Sequence, residues 1–391
     1  VGLSISQAPD TDTLEGLVDV YRPRAIWRAV IAYHAEIGGE FASLSTWDKR
    51  VAWVQAHPED FAGAIEEADH RLASEGSTLL ILFDALDRMA EDWVRIRALA
   101  KGLLQVALDL RSTRAIRCKV YARPDLLQDP GVTSFPDYAK LLATKTSLVW
   151  HRADLYALLY QCLGNADSSR NDFTSLAKKV VGGSLPEYQS TAWTVPSVLR
   201  RDESLQEKLF ESIAGEAMGS STKRGKPYTW LVNHLQDGLN QVSPRSFLAA
   251  LGKAAGETDD DYELAIDYRG IQRGVQQASQ IRVQEITEDY PWVRDVMDPL
   301  RANLTVPCET SDVLKLWKID KTILKLEAKL DAKGALVKLP PQNIEQREMG
   351  ILLDLEALGM IQRMDGARIQ MPDVYRVAFG FGRRGGVKPL R

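Results

Sequence analysis

Six consecutive apolar or β-branched residues, Thr78–Phe83, form the clearest hydrophobic pattern in the chain. The run lacks the alternation of a half-buried strand, so it predicts a parallel strand buried on both faces. It ends in Asp84, and Asp87 and Arg88 follow one turn later. Open α/β sheets bind ligands outside the carboxyl ends of their strands. The pattern therefore predicts a ligand site at Asp84, and the alternative is a buried strand followed by a solvated acidic turn.

Apolar residues at helical spacing flank this strand. Before it they predict three helices, over residues 14–37, 46–57 and 59–73. After it they predict a helix over residues 91–110, then a second strand over residues 116–123, with the sheet portion extending to Trp150. Residues 164–190 are rich in Ser, Asn, Asp and Gly and predict a loop. Residues 203–300 are expected to be mostly helical, including a long segment over residues 261–286.

The last part of the chain has a different pattern. Short helices are predicted over residues 310–317, 320–332 and 344–358. Residues 360–371 read as two strands that turn at Asp365-Gly366, which is a strong hairpin signal. Three helices followed by a hairpin resemble a winged helix, like the tails of AAA and STAND ATPases, which either bind DNA or pack against a partner.

The residues Asp84-Ala-Leu-Asp87-Arg88 resemble the Walker B motif of the STAND and KAP-like P-loop ATPases, relatives of the AAA+ proteins. Three later features follow in the order that this family shows. Arg123 ends the next strand at the sensor position, Ser147–Trp150 precedes the helix over residues 153–163, and Ser243-Pro-Arg245 resembles a sensor-2 helix. The resemblance covers about residues 77–255.

This resemblance implies an ATPase that couples ATP and Mg²⁺ to conformational switching or assembly, with bacterial defence as one setting. Asp84 would bind Mg²⁺ directly or through water, and Asp87 would polarise the attacking water or support that ligand. Arg123 and Arg245 would sense the γ-phosphate, and Arg88 would serve as a finger to a neighbouring subunit. The competing hypothesis is a non-enzymatic scaffold or nucleic-acid-binding protein with a vestigial nucleotide site.

The phosphate loop G-x-x-x-x-G-K-[ST] of these ATPases does not occur in the 391 residues. The nearest string, Gly219–Pro227, has five residues between its glycines and a proline where the Mg²⁺-binding hydroxyl belongs. It also follows the Asp84 strand, whereas a phosphate loop precedes it. We expect the loop to lie before Val1, and the alternative is a degenerate relative that binds no nucleotide.

The predicted fold class is α/β: a P-loop NTPase-like parallel sheet with flanking helices, a helical lid and a C-terminal winged helix. We expect a nucleotide-binding domain over residues 1–165, a lid over residues 166–305 and the winged helix over residues 306–391. Composition is ordinary for a globular protein, and no apolar run approaches the ~20 residues that cross a bilayer. The three cysteines are far apart, so we expect a reducing, cytoplasmic setting without a membrane.

The net charge of −4 conceals an asymmetry. Residues 360–391 contain seven basic and two acidic residues, a balance of +5, so the rest of the chain carries −9. A basic tail predicts contact with a polyanion, or else only a solvated terminus. The basic residues expected to contact nucleic-acid backbone are Arg363, Arg368, Arg383, Arg384 and Lys388.

The charges on two helices of the predicted winged helix indicate which kind of partner it binds. The third carries Glu345, Glu348, Asp354 and Glu356 against Arg347 alone, and phosphate would repel it. The second carries a lysine stripe, which is usually a solvated face balanced by acids such as Glu327. We therefore expect a protein partner or a homo-oligomer, with non-specific nucleic acid as the alternative. The stripe consists of Lys321, Lys325, Lys329 and Lys333.

Overall fold

The computed structural model describes residues 7–182, 192–301, 303–333, 339–383 and 387–389. Most of them lie in helices, and the strands are short and form small sheets. The predicted α/β class therefore agrees in part, as an α-rich fold with small sheets. Contacts divide the chain into two compact units, Val1–Ser147 with Leu330–Pro340, and Leu148–Lys329 with Pro341–Arg391. The predicted boundaries at residues 165 and 305 stay predictions.

Between Gln7 and Ser147 the first unit contains eight α-helices and two strands. In chain order these are α1 (Thr11–Val20), α2 (Pro23–His34), α3 (Trp47–Ala56), α4 (Pro58–Ser74), β1 (Leu79–Phe83), α5 (Trp93–Asp109), β2 (Ile116–Val120), α6 (Pro124–Gln128), α7 (Pro130–Thr133) and α8 (Tyr138–Leu142). The predicted helix over residues 14–37 is thus two helices. Pro23 is the first residue of α2, and the residue before a proline is biased away from helical backbone.

β1 and β2 pair in parallel, with Leu79 opposite Ile116 and Phe83 opposite Val120. Ile81 and Phe83 are buried, and Phe83 meets the Trp27 ring of α2 at 5.5 Å between ring centroids. Leu80 and Leu82 point the other way and are 46% and 56% exposed. The expectation of a strand buried on both faces is therefore wrong, because helices of this unit cover only one side of it.

The sheet of the first unit is also smaller than predicted. β1 and β2 are its two strands among the described residues, so β1 is not a central strand. Residues 145–151, where the sheet portion was expected to end, have no regular structure. Leu148 and Trp150 are exposed there, so this segment has no packing that would hold it as a strand.

Asp69 of α4 holds the beginning of β2. Its carboxylate is buried and accepts hydrogen bonds from the backbone N–H groups of Arg114 (2.9 Å), Ala115 (2.7 Å) and Ile116 (2.9 Å). Burial acts to raise the pKa of Asp69, but these bonds outweigh it, so the pKa lies below its ordinary value. The charged form of Asp69 therefore stabilises the entry to the strand.

The second unit begins with eight helices in its described residues: α9 (Arg152–Asn165), α10 (Arg170–Val181), α11 (Ser197–Arg201), α12 (Glu203–Ala214), α13 (Pro227–Leu235), α14 (Pro244–Gly256), α15 (Tyr268–Asp289) and α16 (Trp292–Met297). The loop predicted over residues 164–190 is wrong for its described part, which contains α10. Phe173 and Ala177 of α10 are buried one turn apart, so an apolar stripe outweighs the polar composition.

Close helix packing organises this unit. The Tyr156 and Tyr228 rings stack at 4.1 Å between centroids, and the Tyr228 hydroxyl donates to Gln206 Oε1 at 2.7 Å. α14 packs on α15 at Gly274, where an added Cβ would lie 2.1 Å from the Ala250 carbonyl oxygen. A glycine at this position therefore permits the two helices to approach.

The remaining elements are β3 (Thr305–Val306), β4 (Cys308–Glu309), α17 (Thr310–Asp320), α18 (Thr322–Lys333), α19 (Arg347–Ala357), β5 (Gln362–Met364), β6 (Arg368–Gln370), α20 (Asp373–Phe379) and β7 (Gly382–Arg383). β5 and β6 pair antiparallel around Asp365-Gly366, so the predicted hairpin is confirmed. β4 pairs with the other edge of β6, giving the strand order β4-β6-β5. β3 and β7 form a separate parallel pair.

We predict that Asp69→Ala lowers the free energy of unfolding by about 1–3 kcal/mol, because it leaves buried amides without an acceptor. Since the pKa of Asp69 is lowered in the folded state, its contribution is present above about pH 4 and is lost as the pH falls through the folded value. Urea unfolding between pH 3 and pH 7 measures both effects. Glu67→Ala, on the exposed side of α4, is the control and should leave the midpoint unchanged. Equal midpoints for the two variants at pH 7 would contradict the anchoring role.

Candidate functional site

The carboxyl ends of β1 and β2 bring the predicted nucleotide-site residues of the first unit to one edge. The strands are in register up to Phe83 and Val120, and the Tyr121 amide donates to the Phe83 carbonyl at 2.8 Å. Asp84 follows β1 and is exposed, and its Oδ1 accepts the Ala85 N–H at 2.8 Å. Ala85 has a φ of 56°, so the chain turns away immediately after Asp84.

Asp87 and Arg123 lie close together at this edge. Arg123 Nη1 is 3.9 Å from Asp87 Oδ2, and Arg123 Nε is 3.3 Å from Asp125 Oδ1. Arg88 is exposed, and its carbonyl oxygen accepts a hydrogen bond from Thr11 Oγ1 at 3.0 Å. The edge therefore combines carboxylates with the Arg123 guanidinium, and the roles predicted for Asp87 and Arg123 stay predictions.

The fit of this edge to Mg²⁺ and ATP is partial. Within the described residues, no three His, Cys, Asp or Glu side chains come together as metal ligands. Mg²⁺ bound to nucleotides usually takes only one or two carboxylates and completes its shell with water and phosphate. Asp84 and Asp87 are the carboxylates after β1 that would have to supply these ligands. The phosphate loop is the missing part, since its motif does not occur in the sequence.

Arg245 stands at the start of α14, as predicted, after Pro244 at the first helical position and the cap residue Ser243. Its side chain is 76% exposed and forms a 2.6 Å ion pair with Glu285 of α15. Arg245 belongs to the second unit and Asp84 to the first. Its role as a γ-phosphate sensor stays a prediction.

Acidic side chains pair with two of the predicted nucleic-acid contacts. Arg363 pairs with Glu356 at 2.7 Å, and Arg383 pairs with Asp373 at 3.0 Å. Arg368 is exposed on β6. The Lys388 carbonyl accepts Gln276 Nε2 at 3.0 Å, and the prediction for Arg384 lies outside the described residues.

Arg376, also counted in the basic tail, is a structural residue. It is fully buried and pairs with Asp373 at 2.6 Å, and it also donates to the carbonyls of Phe381 and Val387. The +5 balance of the tail therefore overstates the charge that a polyanion would meet. Sequence counting missed this because it cannot distinguish a buried guanidinium from a solvated one.

The lysine stripe of α18 is balanced by acids other than the one predicted. Lys325 pairs with Asp320 and Lys329 with Asp295, each at 2.7 Å. Glu327, the expected partner, instead pairs with Arg347 at 2.9 Å. The side chain of Lys333 lies outside the described residues. The positive charge of the lysine stripe is thus partly neutralised by these ion pairs.

α19, the predicted third helix, is largely packed into the second unit. Ile351, Leu352 and Leu355 are buried, and Asp354 is buried with the Asn343 side chain donating to it at 2.6 Å. Burial raises the pKa of Asp354. One face of α19 is therefore covered by the rest of the second unit.

Sequence reasoning missed the buried carboxylate Asp129. It accepts two bonds from Arg97, at 2.6 and 2.7 Å, and one from Trp93 Nε1 at 3.1 Å. An aspartate directly before Pro130, at the N-cap of α7, was the available signal. All of these partners are internal, so Asp129 supports the fold and does not face a ligand.

A surface cleft of about 490 Å³ lies by the N-terminal end of β2 in the first unit, opposite the Asp84 edge. Its apolar wall includes Phe61 and Ile65. Three of its polar residues have partners in the protein, since Arg28 pairs with Asp109 at 2.9 Å and Asp69 binds backbone amides. These three groups therefore support the fold.

The cysteines give no sign of a reactive site. Burial raises the pKa of Cys118 and of Cys308 to about 11, so both stay protonated thiols at neutral pH. Cys162 is exposed, and all three are free.

Comparisons with protein-family models, with curated proteins and with solved structures found no match to this chain. Across the described ranges, no helix has both the length and the apolar character needed to cross a bilayer.

The buried pair Arg376–Asp373 gives a prediction for the second unit. We expect Asp373→Asn to cost about 3–5 kcal/mol of unfolding free energy, because it leaves the Arg376 guanidinium buried without its counter-charge. Thermal and urea unfolding measure the loss. The control is Glu345→Gln, an exposed acidic residue of the same unit. A loss below about 1 kcal/mol, the range of exposed pairs, would show that the pair contributes little.

Proposed function

We propose that this chain is part of an ATPase of the AAA/STAND type, which couples ATP binding and hydrolysis to conformational switching or assembly. The observation that carries the proposal is the parallel pairing of β1 with β2. It puts Asp84, Asp87 and Arg123 at a common carboxyl edge, where α/β sheets bind ligands. The order of motifs along the chain supports the same assignment.

Each residue has a role that follows from its position. Asp84 is a solvent-facing carboxylate suited to hold hydrated Mg²⁺. Asp87, whose Oδ2 lies 3.9 Å from Arg123 Nη1, is suited to orient a water molecule. Bound Mg²⁺–ATP supplies the phosphoryl group. Arg245 lies on α14, within residues 166–305, which are the lid in this proposal, and would sense the γ-phosphate.

The C-terminal elements support a winged helix within the same proposal. Three helices, α17 to α19, lie between β4 and the β5–β6 hairpin, and β4 joins the hairpin sheet. This is the order of elements that the sequence pattern indicated. The packed α19 and the paired arginines favour a protein partner over DNA for this module.

A non-enzymatic scaffold is the second candidate. It is favoured by the exposure of Asp84 and by the lack of a third metal ligand in the described part of the chain. Nucleotide binding separates the two candidates, because a scaffold with a vestigial site would not change its melting temperature when Mg²⁺–ATP is added.

We predict that Asp84→Asn and Asp87→Asn each lower Mg²⁺-dependent ATP turnover of the full-length protein by at least about 100-fold, since electrostatic groups of this kind contribute several kcal/mol. Phosphate release measures turnover, and circular dichroism checks the fold. Asp60→Asn, an exposed aspartate on α4, is the matched control. Turnover within about twofold of wild type in both site variants would show that these carboxylates have no catalytic role.

Any nucleic-acid affinity of the C-terminal elements should be sequence-tolerant and should fall steeply with salt. We predict that Arg368→Ala reduces the salt slope by about one, while Arg363→Ala, whose guanidinium pairs with Glu356, changes it less. Fluorescence anisotropy with unrelated duplexes at several salt concentrations measures this. A strong preference for one duplex at high salt would refute backbone-only contact, and no binding at low salt would favour a protein partner.

A further inference from the structure

Two exposed apolar side chains lie at the turn between α17 and α18. Ile319, in the last turn of α17, is 69% exposed, and Leu324, in the first turn of α18, is 54% exposed. Their neighbours Trp317 and Ile323 are buried, so both helices already use their inner faces in the second unit. Large apolar side chains that are grouped on a surface usually mark an interaction site.

Three lysines flank this turn, and all of them are exposed. Lys315 lies one helical turn before Lys318 and Ile319, on the same face of α17. Lys321 connects the two helices with a φ of 57°. Within the described residues, none of these three lysines forms an ion pair. We call this surface the lysine corner, and it consists of Lys315, Lys318, Ile319, Lys321 and Leu324.

The acidic residues near the lysine corner leave most of its charge unbalanced. Asp320 is already engaged, since Lys325 pairs with it at 2.7 Å and the Thr322 hydroxyl donates to it at 2.8 Å. Asp312 is exposed one turn before Lys315 and offsets one charge. Three lysines against one aspartate give a balance of +2. A surface with this charge attracts an acidic partner.

A second surface of the same unit has the opposite character. Residues 259–263, between α14 and α15, are exposed and include four acidic residues, and Tyr262 among them is 43% exposed. The segment turns, since the Tyr262 amide donates to the Asp259 carbonyl at 2.9 Å. Across the described ranges its acidic side chains form no ion pair, whereas the preceding Glu257 pairs with Lys253 and Arg273. We call this segment the acidic turn, and its acids are Asp259, Asp260, Asp261 and Glu263.

The two surfaces complement each other in charge and in apolar content. The lysine corner combines cations with two aliphatic side chains, and the acidic turn combines anions with one aromatic ring. Both surfaces are exposed, so within one copy neither covers the other. Both also belong to the second unit, so every copy of the chain presents the two together. The occupant that these observations specify is therefore a second copy of this chain.

We propose that copies of this chain associate by docking the acidic turn of one copy on the lysine corner of the next. Tyr262 then covers Ile319 and Leu324, and the acidic side chains pair with the three lysines. Because two different surfaces meet, a pair keeps one free corner and one free turn, and further copies can add. The contact goes beyond the proposed function. It uses no residue of the Asp84 edge and needs no nucleotide, so it can fail while the ATPase proposal stands.

Sedimentation velocity of the full-length protein without nucleotide tests the association. We expect the sedimentation coefficient to rise with protein concentration at about 0.05 M salt. It should rise much less at about 1 M salt, where the Debye length is only about 3 Å. A monomer at every concentration in low salt would overturn the proposal, and so would association that salt does not weaken.

Two variants assign the association to these surfaces. The corner variant carries Lys315→Glu and Lys318→Glu, and the turn variant carries Asp260→Ser and Asp261→Ser. Each variant alone should self-associate at least tenfold more weakly than wild type. An equal mixture should form one-to-one dimers and nothing larger, because only the turn of the first variant and the corner of the second are native. Self-association of either variant at wild-type strength, or a mixture without dimers, would refute the contact.

Two further variants serve as controls. Lys178→Glu with Lys179→Glu reverses two exposed lysines in the last turn of α10 and should leave self-association unchanged. Ile319→Ser keeps every charge and should weaken self-association at least tenfold. Wild-type association of Ile319→Ser would contradict the proposal even if the corner variant failed to fold.

An anionic membrane is the other surface that a basic and apolar corner could meet. Sedimentation with vesicles of phosphatidylserine and phosphatidylcholine distinguishes it from a second copy. We expect no protein to sediment with the vesicles at physiological salt. Vesicle binding by wild type and by the turn variant, but not by the corner variant, would show that the lysine corner binds lipid, and the proposal would be wrong.

Discussion

The parallel pairing of β1 with β2 is the interaction on which the functional interpretation of the first unit depends. Parallel neighbours need a crossover, and α5 supplies it between the two strands. The pairing starts where Asp69 binds the amides at the entry to β2 and ends where Asp84 leaves β1. Because the strands run in the same direction, both of their carboxyl ends lie at the same edge, and this brings Arg123 close to Asp87.

Aspartate and arginine side chains have different roles in this protein according to whether they are buried or exposed. Asp69, Asp129 and Asp373 are buried, and each is surrounded by donors from its own unit, so they hold the fold together. Asp84 is also an aspartate, but it is exposed, which leaves its side chain accessible to a ligand. Arg376 shows the same contrast among the basic residues, because its burial removes it from the surface charge. Burial and hydrogen-bond partners therefore distinguish the structural charged residues from the accessible ones, and composition alone does not.

Most helices and both strands of the first unit follow from local patterns in the sequence. Pro23 ends one helix and begins the next, since proline restricts the backbone on both sides of it. α10 was not predicted, because the loop prediction relied on the polar composition of residues 164–190 and not on the spacing of the apolar residues. The segment at Leu148 was expected in the sheet, yet its apolar side chains find no layer to pack against. Strand formation depends on such packing more than helix formation does.

The sequence by itself determined that a carboxylate follows β1, that Arg123 comes shortly after β2 and that a hairpin turns at Asp365-Gly366. These are local facts, set by side-chain chemistry and turn preference. Only the tertiary structure decided that one face of β1 is open and that Arg376 is buried. The exposure of β1 and the burial of Arg376 depend on which elements, distant in the sequence, pack against these residues. The local sequence pattern around a residue does not contain that information.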